Sequence, residues 1–221
     1  MSLFDKDTDY SRLNYEEVEK LAGTCKKCAL SKGRTKVVFG HGPHPSDLML
    51  IGEAPGEQED LQGLPFVGKA GQLLTQILES INIKRPDDIY IANTVKCRPP
   101  ENRAPYPAEQ AACWPYLEAQ IFHLVKPKII LLAGAPAVRA VLKSDEPMSE
   151  LRGKWTKLPA VPAGRQGSDI AVMPIFHPAY LLRNQSKEKG SPKWLTWQDM
   201  KEVQGALEYY RKLHSLGGGN A

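Results

Sequence analysis

Four short apolar runs punctuate the chain: Asp47–Ile51 (DLMLI), Ile89–Asn93 (IYIAN), Lys128–Ala133 (KIILLA) and Ile170–Ile175 (IAVMPI). Their near-continuous Leu, Ile and Val content, without polar alternation, is the pattern of strands buried on both faces. Between them the period lengthens to that of an amphipathic helix. Lys69–Ile81 puts Leu73, Leu74, Ile77, Leu78 and Ile81 on one side. Ala108–Val125 opens after Pro107 and is apolar at Ala111, Ala112, Leu117, Ile121 and Leu124; Ala135–Leu142 and Thr196–Leu213 supply two more helices. Strands alternating with helices imply crossover connections and a parallel sheet covered on both faces. The pattern therefore predicts a single α/β domain, three layers deep, around a central four-stranded parallel sheet. No internal repeat or long linker divides it. Pro159–Ser168 reads as a surface loop, and Gly217-Gly218-Gly219 as a mobile tail.

Open parallel sheets bind ligands in the crevice beyond the carboxyl ends of their strands. Gly52-Glu53-Ala54-Pro55-Gly56 directly follows the first predicted strand, Asn93 ends the second, and His177-Pro178 follows the fourth. Three strands thus deliver glycine-rich or polar segments to one edge, which points to a site there.

Composition narrows the class without naming a chemistry. With 221 residues, 42% hydrophobic and 24% charged, the chain is ordinary for a globular protein, which excludes disordered, collagenous and coiled-coil classes. It has no run of eighteen apolar residues, so no membrane span is expected. The beginning, MSLFDKDTDY, is acidic where a signal peptide is basic and then apolar, so a cytoplasmic protein is expected. The formal charge of +4 is small, but it is unevenly spread. The stretch from Lys20 to Lys36 carries Lys20, Lys26, Lys27, Lys32, Arg34 and Lys36 and no acid, and Arg183, Lys187, Lys189 and Lys193 form a second basic segment. Such patches either neutralise phosphates or are solvated loops.

The four cysteines, Cys25, Cys28, Cys97 and Cys113, form a C-x2-C pair and a C-x15-C pair across a long gap. Disulfides are disfavoured in a reducing compartment, leaving a four-thiolate metal site or unrelated buried thiols. Spacing alone does not separate zinc from an iron–sulfur cluster, since both accept four thiolates.

Several segments carry a family resemblance. Gly52-Glu53-Ala54-Pro55-Gly56-Glu57-Gln58-Glu59-Asp60, followed by Gly63-Leu64-Pro65-Phe66-Val67-Gly68-Lys69-Ala70-Gly71, resembles the first motif of the iron–sulfur (family four) uracil-DNA glycosylases. Asn93 to Arg103 (NTVKCRPPENR) is similar to the family's uracil-contact and cluster-ligation segment, and His177 to Arg183 (HPAYLLR) to its histidine motif. The motifs stand in family order, and the recognisable part runs from about residue 15 to residue 213. The resemblance implies a [4Fe–4S] cluster on Cys25, Cys28, Cys97 and Cys113. It further implies a monomeric, nucleoid-associated enzyme that removes uracil from single- or double-stranded DNA and leaves an abasic site.

The same resemblance carries roles to individual residues. Phe66 matches the aromatic platform under the uracil ring, and its bland reading is a core Phe. Asn93 matches the amide that faces uracil O4 and N3–H, a pattern cytosine reverses; otherwise it is a strand-terminal cap. Gly52 and Gly56 fall in the first motif and are carried over as substrate-binding positions. Glu59 matches a side chain that crowds the C5 edge, where thymine carries a methyl group; otherwise it belongs to an acidic turn. His177 matches the donor that supports negative charge on uracil O2. Leu181 matches a wedge that fills the vacated stack, although Leu181 and Leu182 also suit a helix core, and Arg183 is a DNA contact. Many superfamily members have an aspartate at the position of Ala54, so water activation falls to Glu53 or to backbone groups. Two rivals remain: a relative that binds uracil-DNA covalently, which has Gln at the position of Ala54 and a basic insertion absent here, and a non-catalytic metal-stabilised nucleic-acid-binding module.

Overall fold

The computed structural model describes residues 8–159 and 169–217. Most of the loop predicted at Pro159–Ser168, and all but Gly217 of the predicted tail, lie outside them. In chain order the elements are α1 (Tyr15–Gly23), β1 (Leu48–Gly52), α2 (Glu57–Gln62), α3 (Lys69–Glu79), β2 (Tyr90–Asn93), α4 (Pro107–Ala119), β3 (Ile129–Ala133), α5 (Ala135–Leu142), α6 (Met148–Leu151), β4 (Thr156–Leu158), β5 (Ile170–Ile175), α7 (Pro178–Arg183) and α8 (Pro192–Gly217). No helix among the described residues is long and apolar enough to cross a membrane.

The sheet runs β2-β1-β3-β5-β4 and has five strands rather than the four predicted. β2, β1, β3 and β5 are parallel, and β4 pairs antiparallel with β5 at the edge. β4 escaped the sequence pattern because its three residues are exposed or half-buried and form no apolar run. The apolar runs sort by alternation onto two faces. Leu48 and Leu50 of β1 face a core completed by Leu74 and Leu78 of α3 and Met200, Val203 and Leu207 of α8. Met49 and Ile51 face Leu117 of α4 and Ala137, Val138 and Val141 of α5. Both faces are buried, as a central parallel strand requires.

The helix predicted over Ala108–Val125 divides. Regular α-helix stops at Ala119, and Gln120–Val125 forms a wider π-type turn. Pro115 lies within α4 and has no N–H to donate to the preceding turn. The turn carries Gln120, fully enclosed, toward the sheet.

Chain order and sheet order together create the crevice. From β1 the chain adds β2 on one side and then β3 on the other, so the topology switches direction at β1. The register places Gly52, the last residue of β1, beside Asn93, the last of β2.

Candidate active site

A cavity of about 830 Å³ opens over the carboxyl ends of β1, β2, β3 and β5. Glu53, Ala54, Pro55, Gly56, Glu59, Phe66, Asn93, His177 and Arg183 all line it. The structure therefore gathers into one cleft nearly every base-contact and catalytic residue expected from sequence. Gly52 lies beneath: a Cβ there would stand 2.4 Å from Asn93 Oδ1 and 2.6 Å from Phe66 Cζ. Only a residue without a side chain lets these two groups meet over the end of β1.

Asn93 is 2% exposed, and its Oδ1 is enclosed without a hydrogen-bond partner among the described residues. An orphaned buried acceptor costs about 1–3 kcal/mol, which a ligand donating to it would offset. Phe66 is held in the left-handed region at φ 53°, a conformation that costs a non-glycine residue about 1–3 kcal/mol. Arg85 offsets this strain. Its Nη1 donates to Phe66 O at 2.9 Å and to Thr75 Oγ1 at 3.0 Å, and its Nη2 donates to Pro65 O at 2.8 Å.

Glu59 lines the cleft with its carboxylate held by backbone donors. Its Oε1 accepts from the N–H groups of Val67 and Gly68, each at 2.8 Å, and its Oε2 from Gly56 N–H at 3.1 Å. The carboxylate thus joins the loop after β1 to the loop that carries Phe66, bracing two walls of the cleft.

His177 caps α7, its Nδ1 accepting from Ala179 N–H at 3.1 Å. Because Nδ1 accepts, the ring proton resides on Nε2, leaving one N–H to donate. Burial pushes the imidazole down to about 4, reinforced by Arg183 and opposed by Glu59, so the ring is neutral at neutral pH. The Phe66 and His177 ring centroids are 5.7 Å apart. Burial raises the Glu53 carboxyl above its usual range, and Arg139 partly opposes this.

Leu181 departs from its expected place. It is 1% exposed and packs inside, whereas a wedge has to reach a base stack from the surface. On the same helix Tyr180 is 37% exposed and lines the cleft, with its ring centroid 5.1 Å from that of Phe176. Arg183 is exposed.

All four cysteines line a second, smaller cavity, next to a small buried cluster of Leu30, Val95 and Cys97 against which Ala54 packs. Cys25 and Cys28 follow α1, Cys97 follows β2, and Cys113 belongs to α4, so three distant segments converge. Burial raises the thiols of Cys28 and Cys97, and pushes that of Cys113 up to about 12. Arg34 turns inward from its basic stretch: Nη1 donates to Cys25 O at 2.8 Å and Cys97 Sγ at 3.2 Å. Lys20, Lys26, Lys32 and Lys36 remain exposed.

Sequence reasoning missed Gly134, Ala135 and Pro136, which line the cleft after β3, and also Arg103. The glycine between strand and helix was a visible signal for the first group. Arg103 ends the NTVKCRPPENR segment but carried no assigned role; it makes a two-pronged pair with buried Glu109, at 2.9 and 2.7 Å, and stacks on Tyr106.

Comparison with known proteins agrees with this geometry. A family model described as the uracil DNA glycosylase superfamily matches residues 39–201. A type-4 uracil-DNA glycosylase of Thermotoga maritima is 43% identical over 173 residues, spanning 78% of this chain and 85% of the relative. Type-4 uracil-DNA glycosylases of Saccharolobus solfataricus and Sulfurisphaera tokodaii are each 39% identical, over 87% and 79% of this chain and 84% and 78% of their own. Matches of this extent, read with a cleft whose walls are the matched motifs, establish that the chain belongs to the uracil-DNA glycosylase superfamily, among its type-4 members.

Proposed function

We propose that the protein is a DNA-repair hydrolase that flips deoxyuridine out of DNA, cleaves its N-glycosidic bond and leaves an abasic site, working as a monomer in the cytoplasm. The observation that carries this reading is the unpartnered Asn93 Oδ1 enclosed beside Phe66. Uracil N3–H satisfies that acceptor, and the amide N–H₂ donates to O4. Cytosine offers a bare N3 and an amino group, so it leaves the buried amide mismatched and is rejected. Phe66 supplies the stacking face that offsets lost base stacking.

As the N1–C1′ bond breaks, its electron pair passes to the base, and charge gathers on O2. The His177 Nε2–H donates to that oxygen as the charge develops, without carrying a positive charge itself. Ala54 has no group that could orient water. Glu53, with its carboxyl raised by burial, accepts the proton of the water whose oxygen adds to C1′. Glu59 keeps the two walls in register.

The cysteines supply the donor set of an iron–sulfur cluster, four thiols brought from three segments of the chain. All four line one cavity, which suits a group ligated at four separate points. Cys25, Cys28, Cys97 and Cys113 would hold it, and its contribution is structural: it ties the segment after α1 to β2 and α4.

The test is excision from matched oligonucleotides containing uracil, cytosine or thymine, followed by alkaline cleavage. Uracil strands alone are expected to break. His177→Ala should lower the single-turnover rate about 10²–10³-fold with affinity for uracil-DNA nearly unchanged. A near-normal rate in that variant would return His177 to a helix-capping role.

A further inference from the structure

Lys96 is an unusual residue to bury. It is 2% exposed, directly precedes Cys97, and is used in none of the steps above. Its Nζ donates to the backbone carbonyl of Asn93 at 2.9 Å and to Gln120 Oε1 at 2.6 Å. Its own backbone N–H donates to Cys113 Sγ at 3.3 Å, and the residue lines the four-cysteine cavity. Gln120 is fixed in turn, its Nε2 donating to Phe39 O at 2.9 Å and Tyr90 Oη at 2.8 Å. The network reaches Tyr15, whose hydroxyl lies 3.0 Å from that of Tyr90.

This ammonium has no carboxylate. The ion pairs among the described residues do not include Lys96. A buried cation requires an opposite charge or a strong donor–acceptor set. Among the described residues, Cys113, whose Sγ accepts from the Lys96 backbone N–H, and Cys97, next in the chain, become negative beside Lys96 once their thiols are ligated as thiolates. On its other side stands the carbonyl of the residue that reads the base.

We propose that Lys96 is a positioning residue linking the two sites: its ammonium is the buried counter-charge of the cysteine-held group, and the same ammonium clamps the Asn93 backbone so that the amide faces uracil. The proposal rests on the cysteines holding an iron–sulfur cluster. It explains why a lysine, rather than an apolar residue, stands between the two sites. It also implies that the cluster bears on base recognition through one side chain, with no part in the chemical step.

The experiment compares purified wild type, Lys96→Met and Asn93→Ala in two measurements. One is inhibition of excision by free uracil. The other is the rate at which visible absorbance bleaches in air with a chelator. Removing an outer partner of a metal site typically costs about 10–100-fold. Lys96→Met should therefore weaken free-uracil inhibition by roughly that factor and bleach correspondingly faster. Asn93→Ala should weaken uracil inhibition while bleaching at the wild-type rate. If Lys96→Met altered only one of the two readouts, or neither, the link would be overturned. A wild-type protein that is colourless and iron-free would instead overturn the cluster reading, before any variant is compared. Should Lys96→Met fail to fold, Lys96→Gln, which keeps a donor and loses the charge, carries the same two-readout comparison.

Discussion

At the scale of the residue, the site works through what its groups lack. Asn93 has an acceptor with no partner, Ala54 has no acid, and His177 has no charge at neutral pH. The last of these has a measurable consequence. The folded imidazole titrates near 4 instead of its usual 6.5, chiefly because burial disfavours the charged form. Below 6.5 the unfolded chain takes up a proton that the folded chain refuses, so stability falls as pH drops from 6.5 toward 4. The loss amounts to at most about 3 kcal/mol once both forms are protonated. Thermal unfolding of the wild type should therefore weaken over that interval more steeply than that of His177→Ala. Parallel curves would mean that the ring is not buried in its neutral form. Single-turnover excision, by the same reasoning, should show no His177-dependent inflection near 6.5. Below about 4, protonation of Nδ1 abolishes the bond from Ala179 N–H and with it the ring's orientation.

At the scale of the element, loops do the work and helices hold them. Glu59 sits on α2, yet its carboxylate is occupied by three backbone donors from two loops. Glu59→Ala should accordingly lower uracil excision about 10–100-fold, taking three charge-assisted bonds as the loss and partial loop relaxation as the offset, without admitting thymine. Paired uracil and thymine oligonucleotides measure both effects, and thymine excision by the variant would restore the steric role at C5. α7 divides in the same way. Leu181→Ala should cost about 2–5 kcal/mol of stability, as a buried leucine does, and melt early by circular dichroism. Tyr180→Ala should leave the melting temperature intact and slow excision from duplex more than from single strands, since the exposed ring is the one placed to meet a base stack. Equal loss on both substrates would argue against that contact. These elements also mark what the sequence discloses. β1, β2, β3 and β5 were legible because double-sided burial leaves an uninterrupted apolar run, and Asn93 and His177 because they end or follow such runs. α2 was not, since Asp60 is its only buried residue and no apolar period forms. Arg85 lay outside every motif, and Lys96 and Arg103 lay inside one without a role, because their value lies in bonds to backbone or side chains fixed only by the tertiary fold.

At the scale of the whole molecule, the N-terminal segment meets the rest of the fold through a small apolar contact. α1 contributes only Val18 and Ala22 as fully buried side chains, and packs with Phe39, Tyr116 and Ala119 in a small satellite core. A core that small stabilises its segment weakly, so ligation of Cys25 and Cys28 to the same group as Cys97 and Cys113 would supply the missing attachment. The burial that raises the thiols of Cys28, Cys97 and Cys113 works in the same direction: a cation is needed to hold them deprotonated. The purified protein should then be brown and contain about four irons per chain. One zinc in a colourless protein would refute this. Cys97→Ala should lose the metal and expose the segment between α1 and β1 to protease, while the apolar core of the sheet stays protected. Hydrogen exchange provides the decisive comparison. Fast exchange confined to residues 10–37, with amides of β1 and β3 still slow, is the expected result. Uniform acceleration across the sheet would mean that the cysteines stabilise the whole fold rather than one attached segment.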